Sequence, residues 1–485
     1  MINIAALVTF LIAMIPALIM RPPFGDRKVS YRVGIYMLIV TSIAFVVPYG
    51  AAPLFFLAVA LTAVFVTNRQ PLAIYFAAMV YMFPAEIIWL LPFPGINYLI
   101  ELNPKIVLAF MLLPALFRDK FPGSSGGVTF CVVFFVIATW VLDLRLVGQS
   151  PTNAMRALFT DLIMVVVPYL VLRKVLGDPR RFVAGVSAFG AAALFITLMA
   201  FWGFLRGWMF YTAIPLNDVG AYVYLFRDGV LRFRAATNGV ETPLIAAVGG
   251  LVALWLRGTW PKGLLMYGWL AIVPFSVLLS GSRGGLLSAL VLASGYIYFR
   301  YFPKGLRQLG YVAAAVGAFV VFPVVLTMDW SFIDPYGTFE YRQRLLQVSM
   351  TRIFETLWVG DANYAEHPIF EQMRQGQGII DFVNTYVQVA LGYGLVGFGT
   401  FVGMLLLSAR LALKTAYAIE PGIFGDHVNA RNIGFGLAAT IGAHSVMIMT
   451  VSEVSHIGYF KYLLAAFAVA YAEAARKAQE EPDST

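Results

Sequence analysis

Four places in this 485-residue chain bring together residues that could do chemistry. The first is Ser280-Gly281-Ser282-Arg283-Gly284-Gly285, between two apolar runs. Ser282 can cap the helix that follows, whose free N–H groups and positive dipole end then lie beside Arg283, and the glycines allow close backbone approach. That is either a diphosphate cradle or a tight turn with an interfacial anchor. The second is Arg342, set in the apolar arc of a helix expected over 339–358 with Thr338 as N-cap. Leu345, Leu346, Val348, Met350, Ile353 and Leu357 form the arc; a guanidinium among them either snorkels to water or meets an anionic partner. The third is Leu231-Arg232-Phe233-Arg234, whose two arginines share one side if the segment is extended. The fourth is Asp381, Asn384, Thr385 and Gln388, which fall on one narrow stripe of a helix expected over 379–408. Such a stripe faces protein or a wet cavity, because lipid cannot satisfy it. Arginines hold phosphate or carboxylate through forked contacts. A carboxylate such as Asp381, or an imidazole, can take a proton.

The elements that must position these groups are membrane spans. The chain is 60% hydrophobic and 12% charged, with mean hydropathy +0.80. Its apolar runs have helix length for a bilayer, and barrel-type alternation is absent. The reading is an all-α, polytopic transmembrane bundle of about 13–15 spans with a large periplasmic loop carrying short helices. Spans are placed near 2–20, 33–48, 51–67, 72–90, 104–117, 127–143, 159–172, 182–204, 241–256, 263–281, 284–299, 309–328, 379–408, 432–451 and 456–475. The fourth is expected to break at Pro92-Phe93-Pro94-Gly95. The first lacks a basic leader and a cleavage site and reads as a retained helix. The organisation is 1–205, N-terminal helices; 206–328, helices with an arginine-rich loop and the Ser-Arg-Gly turn; 329–378, the loop; 379–475, C-terminal helices; and 476–485, a cytoplasmic tail.

Orientation follows from the basic residues. Of the 34 Lys and Arg, 21 fall in connections on one side, which is therefore cytoplasmic. The other side has 11 Arg and only two Lys, which fits an anionic ligand there as well as simple selection against outward lysine. A net charge of +9 would suggest nucleic acid only in a soluble protein; here its distribution matters more. The single Cys131 excludes an intrachain disulfide and a cysteine metal cluster. Glu86, Glu101, Glu453 and His456 are further acids or bases at outer span ends. No Walker loop, dinucleotide fingerprint or His-Glu-x-x-His motif is present, and no internal repeat is visible.

Taken together, these pieces resemble the O-antigen ligase and O-antigen polymerase superfamily of membrane glycosyltransferases. The likeness runs from about residue 232 to 397, roughly a third of the chain. It comprises the Ser282-Arg283-Gly284 turn, Tyr341-Arg342 with Trp358-Val359-Gly360-Asp361, and Val383-Asn384-Thr385-Tyr386 leading to Gly392-Tyr393-Gly394-Leu395-Val396-Gly397. The ligases carry a histidine before the asparagine; here that position is Val383, so no histidine base carries over. Asp381 and His367 are the nearest substitutes, and the departure favours a polymerase over a lipid A core ligase.

The resemblance implies an inverting, metal-independent transfer at the periplasmic face of a bacterial inner membrane, with no cofactor. The substrate would be oligosaccharide on undecaprenyl diphosphate, with a flippase and a chain-length regulator as partners. Arg283, Arg342 and Asp381 are the catalytic candidates. Arg234, Arg232, Ser282, Tyr341, Arg344, His367, Asn384 and Gln388 are the substrate-binding ones. The alternatives are an O-antigen ligase and, outside enzymes, a transporter for lipid-linked sugars.

Overall fold

A computed structural model describes residues 7–8, 11, 42, 88–117, 126–206, 225–227, 230–232, 242–255, 263–310, 338–374, 380, 382–425, 428–451 and 457–480. Arg234, Asp381, Glu86, Glu453 and His456 lie outside them. So do, apart from isolated positions, the spans expected near 2–20, 33–48, 51–67, 72–90 and 309–328.

The described chain is mostly helical. In order it runs β1 (Trp89–Phe93), β2 (Ile96–Leu102), α1 (Pro104–Phe110), α2 (Leu113–Leu116), α3 (Gly126–Asp143), α4 (Pro151–Asp161), a π-helical turn (Leu162–Val166), α5 (Val167–Val175), α6 (Pro179–Arg206), β3 (Leu225–Arg227), β4 (Val230–Arg232), α7 (Thr242–Trp255), α8 (Gly263–Leu279), α9 (Arg283–Tyr301), α10 (Thr338–Glu355), α11 (Thr385–Ala418), α12 (Ala430–Thr450) and α13 (Ile457–Glu480). Among the described residues five stretches are long and apolar enough to cross a membrane: Gly126–Asp143, Pro151–Val175, Pro179–Trp202, Thr385–Ala418 and Ala430–Thr450.

Two antiparallel hairpins correct the all-helical expectation. β1 pairs with β2, Phe93 opposite Ile96, across Pro94-Gly95. Gly95 takes φ +84, a conformation that a Pro-Gly turn demands and an apolar helix cannot supply. The hairpin takes up Trp89 and Leu90, which hydropathy assigns to a span. β3 pairs with β4, Arg227 opposite Val230, so Arg232 stands on extended backbone.

Local sequence sets several helix boundaries. Asn103 caps α1, accepting from Ile106 N at 3.0 Å, with Pro104 at the first helical position. Ser150 caps α4 ahead of Pro151 in the same way. The π-helical turn precedes Pro168, whose missing N–H and ring disrupt the regular ladder; widening by one residue accommodates it.

The helices pack antiparallel about α11 and α12. Gly284 of α9 meets Thr450 of α12, whereas Gly295 meets Ala439. Tyr386 of α11 donates to Ser445 O near the end of α12, and Tyr471 of α13 donates to Ala430 O at its start. Between apolar helices in lipid, close packing rather than water exclusion holds the bundle, so small residues let the backbones approach. Gly436 faces the Trp255 indole and Gly434 the Tyr471 ring, where any added carbon would overlap. Phe182, Phe401, Phe460 and Tyr471 are fully buried around them, and Cys131 is a buried thiol beside Gly403.

Candidate functional site

The Ser-Arg-Gly turn forms as its composition demands. Gly281 adopts φ +59, Ser282 is extended, and its hydroxyl accepts from Gly285 N at 3.0 Å, capping the 19-residue α9. Ser280 supports it, accepting from Ser282 N at 3.2 Å and donating to Val277 O at 2.7 Å. Ser280 and Ser282 are buried, while Arg283 is exposed. Gly284 lies against the end of α12: a Cβ there would come within 2.5 Å of Thr450 Oγ1.

Arg342 is also exposed, and it lines a cavity of about 110 Å³ with Leu345, Leu346, Phe382, Val383, Asn384, Val387 and Met449. Met449 and Thr450 are consecutive. The Arg342 cavity and the Arg283-bearing helix start therefore each abut the end of α12, at consecutive residues. Beneath the cavity Leu345, Phe370, Met373, Phe382 and Leu391 form a small core that seats α10 and the following loop on α11.

Asn384 departs from the expected stripe. Residues 382–384 are not helical; α11 begins at Thr385, and Asn384 caps it, accepting from Tyr386 N at 3.0 Å and Val387 N at 3.3 Å. A short amide side chain bonds the helix start better than it sits inside the helix. The polar residues consequently divide. Asn384 faces the Arg342 cavity, whereas Thr385 and Gln388, one turn apart, line a second cavity of about 220 Å³ with Asp143, Ala362, Tyr364, Val389, Gly392 and Tyr393.

The remaining candidates have protein partners. Tyr341 donates its hydroxyl to Met373 O at 3.1 Å. Arg344 donates to Gln372 Oε1 at 2.8 Å on the exposed side of α10. His367 caps a short 3₁₀ turn, its Nδ1 accepting from Ile369 N at 3.3 Å. Glu101 accepts from the Tyr98 hydroxyl.

The loop after α10 is stitched into a break in α11. Gly394 adopts φ +57 inside that helix, and Gly360 opposite adopts φ +65. A Cβ on Gly394 would stand 2.5 Å from the Trp358 carbonyl carbon, and one on Gly360 2.5 Å from Gly392 C. Several backbone groups released by the break find partners across it. Leu395 N donates to Leu357 O, Val396 N to Trp358 O, and Asp361 N to Leu391 O. Arg145, just past α3, donates to the carbonyls of Val359, Gly360 and Gly392, and Asn363 bonds Val147 N and Arg145 O. Arg352 pairs with Asp361 at 2.6 Å and with Glu355 at 2.8 Å. Burial would raise the Asp361 carboxyl, but the Arg352 guanidinium and the Asn363 N–H outweigh it and hold it below its ordinary value. Trp358-Val359-Gly360-Asp361 and Gly392-Tyr393-Gly394 are thus two halves of one junction.

Part of the arginine excess expected on the outer side is therefore structural. Arg145, Arg352 and Arg374 are held by protein acceptors, and Arg156 lies over the Tyr98 ring while bonding Tyr98 O, Leu99 O and Asn153. Arg283 and Arg342 are both exposed, Arg283 at the start of α9 and Arg342 at the cavity that Met449 of α12 also lines. The residue that sequence reasoning missed is Asp143, which accepts from the Tyr393 hydroxyl at 3.3 Å. The signal was available: an acid in the last turn of an apolar helix sits at the negative dipole end and needs a reason to be there. Tyr364, in the same cavity, has its hydroxyl pushed up to about 12, first by burial and then by the Asp143 charge.

No protein-family model matches the chain, and no curated protein does. The resemblance to the O-antigen ligase and polymerase superfamily rests on the motifs and their order.

Proposed function

We propose that the chain is a polytopic membrane glycosyltransferase that polymerises oligosaccharide carried on undecaprenyl diphosphate. It would have about 13–15 spans, a periplasmic loop over 329–378 and its site on the periplasmic face of the inner membrane. The observation that carries this reading is that the Ser282-capped helix start bearing Arg283 and the cavity that Arg342 lines both abut the end of α12.

The chemistry follows from charge. The acceptor hydroxyl attacks the anomeric carbon of the donor, the bond to the diphosphate breaks, and the diphosphate leaves with the electron pair. Negative charge grows on it in the transition state. Arg283, Arg342 and a helix N-terminus stabilise that charge without reorganising. Asp381, next in sequence to the cavity-lining Phe382, takes the hydroxyl proton. Leu345, Leu346, Val387 and Met449 give the cavity an apolar wall suited to the lipid tail.

The test is polymer synthesis in cells whose own copy is deleted. Arg283→Ala and Arg342→Ala abolish polymer with protein levels unchanged; wild-type polymer in both overturns the assignment. Purified protein that lengthens lipid-linked oligosaccharide without other components separates the enzyme from a transporter. Polymer of normal length retained on its lipid carrier in the deletion strain would indicate a ligase.

A further inference from the structure

The larger cavity lies on the other flank of the first turn of α11, and its lining differs in kind. Its polar groups come from three separate parts of the chain: Asp143 at the end of α3, Tyr364 in the loop, and Thr385, Gln388 and Tyr393 on α11. One Asp143 oxygen accepts from Tyr393, and among the described residues the other oxygen has no hydrogen-bond partner. Nor has the Gln388 amide, which carries two donors and an acceptor. The volume of about 220 Å³ far exceeds the roughly 10–15 Å³ that one water requires.

The walls are also fixed. Arg145 ties the end of α3 to the loop and to Gly392, and the Gly360–Gly394 crossing locks the loop against α11. A pre-shaped cavity combining a carboxylate, a carboxamide, a threonine and two tyrosines matches neighbouring hydroxyls on a saturated ring. The carboxylate and amide receive and return hydrogen bonds, while the tyrosine rings offer apolar faces.

We infer that this cavity is a pyranose subsite, in which Asp143 and Gln388 bind the hydroxyls of one sugar unit. Resting on the transferase reading, it holds the acceptor sugar, across the α11 start from the cavity assigned to the donor diphosphate. Asp143 and Gln388 act there as binding groups.

The experiment uses the full chain in nanodiscs and a panel of methyl pyranosides: glucoside, galactoside, mannoside, rhamnoside and N-acetylglucosaminide. Binding is read by saturation-transfer NMR titration. At least one glycoside binds the wild type; Asp143→Asn weakens it about tenfold and Gln388→Leu about fivefold. Arg410→Ala, exposed on the far half of α11, leaves it unchanged. Should Asp143→Asn fail to fold, Gln388→Leu and Thr385→Val decide. If no glycoside binds, or if the folded variants bind as the wild type does, the subsite is refuted. Glycoside binding that follows this pattern in a protein whose Arg283→Ala and Arg342→Ala variants still make polymer would keep the subsite and refute the transfer site.

Discussion

Two groups of arginines stand at the same end of the bundle and serve opposite ends. At the seam between α3, the loop and α11, Arg145 and Arg352 donate to backbone carbonyls and to carboxylates of the protein itself. Around the end of α12, Arg283 is exposed beside a capped helix start, and Arg342 is exposed on the rim of a cavity. The first group closes structure; the second presents charge. An arginine count cannot separate them, because both use the same forked donors. What separates them is their setting: the first pair sits inside a backbone junction, the second on exposed ground beside a helix start and a cavity. The break at Gly394 releases carbonyls that need donors, whereas the start of α9 offers N–H groups of its own and asks for an anion.

The sharpest way to break this comparison is at the rim. Arg342→Ala and Arg283→Ala should each lower polymer formation by at least about a hundredfold, while thermal unfolding in detergent moves by less than about 1 kcal/mol. The seam should behave in reverse. Gly394→Ala places a Cβ against Trp358 on left-handed backbone and should destabilise by about 3 kcal/mol, read as a lower Tm and as protease cleavage between 356 and 363. Arg145→Ala removes donors from three carbonyls and should cost about 2 kcal/mol. If it instead abolished polymer at unchanged Tm, Arg145 would belong with the rim. The smallest effect is a titration. Asp361 has a folded pKa below its ordinary 3.8, so its ion pair stabilises above that value and the contribution is lost as pH falls below about 4. Asp361→Asn should remove about 1 kcal/mol at pH 7 and flatten the acid limb of a Tm-against-pH curve.

The sequence disclosed those features that depend on near neighbours. Apolar runs mark α3, α6 and α12 to within a few residues, since a helix in lipid must satisfy its own backbone, whereas α11 starts six residues later and ends ten residues later than its expected span. Ser282 caps its helix because its short hydroxyl reaches the free N–H of Gly285, three residues on. Features that need a distant partner stayed hidden. Asn384 fits a helical stripe by angle, yet its amide is closer to the N–H groups of Tyr386 and Val387 and stops the helix instead. Gly360 and Gly394 each look like ordinary loop and span glycines; only their crossing explains both. Asp143 and Gln388 lie 245 positions apart in sequence, and nothing local to either announces a shared cavity.

The crossing also sets a schedule for biogenesis. Arg145 leaves the insertion machinery with α3, yet its acceptors at Gly360 and Gly392 are 215 and 247 residues downstream. A nascent chain that stops before α11 therefore has no berth for its large loop, however many helices it has already threaded. The loop is thus the part of the chain whose seat is made last, and a product truncated before α11 should leave it open to protease.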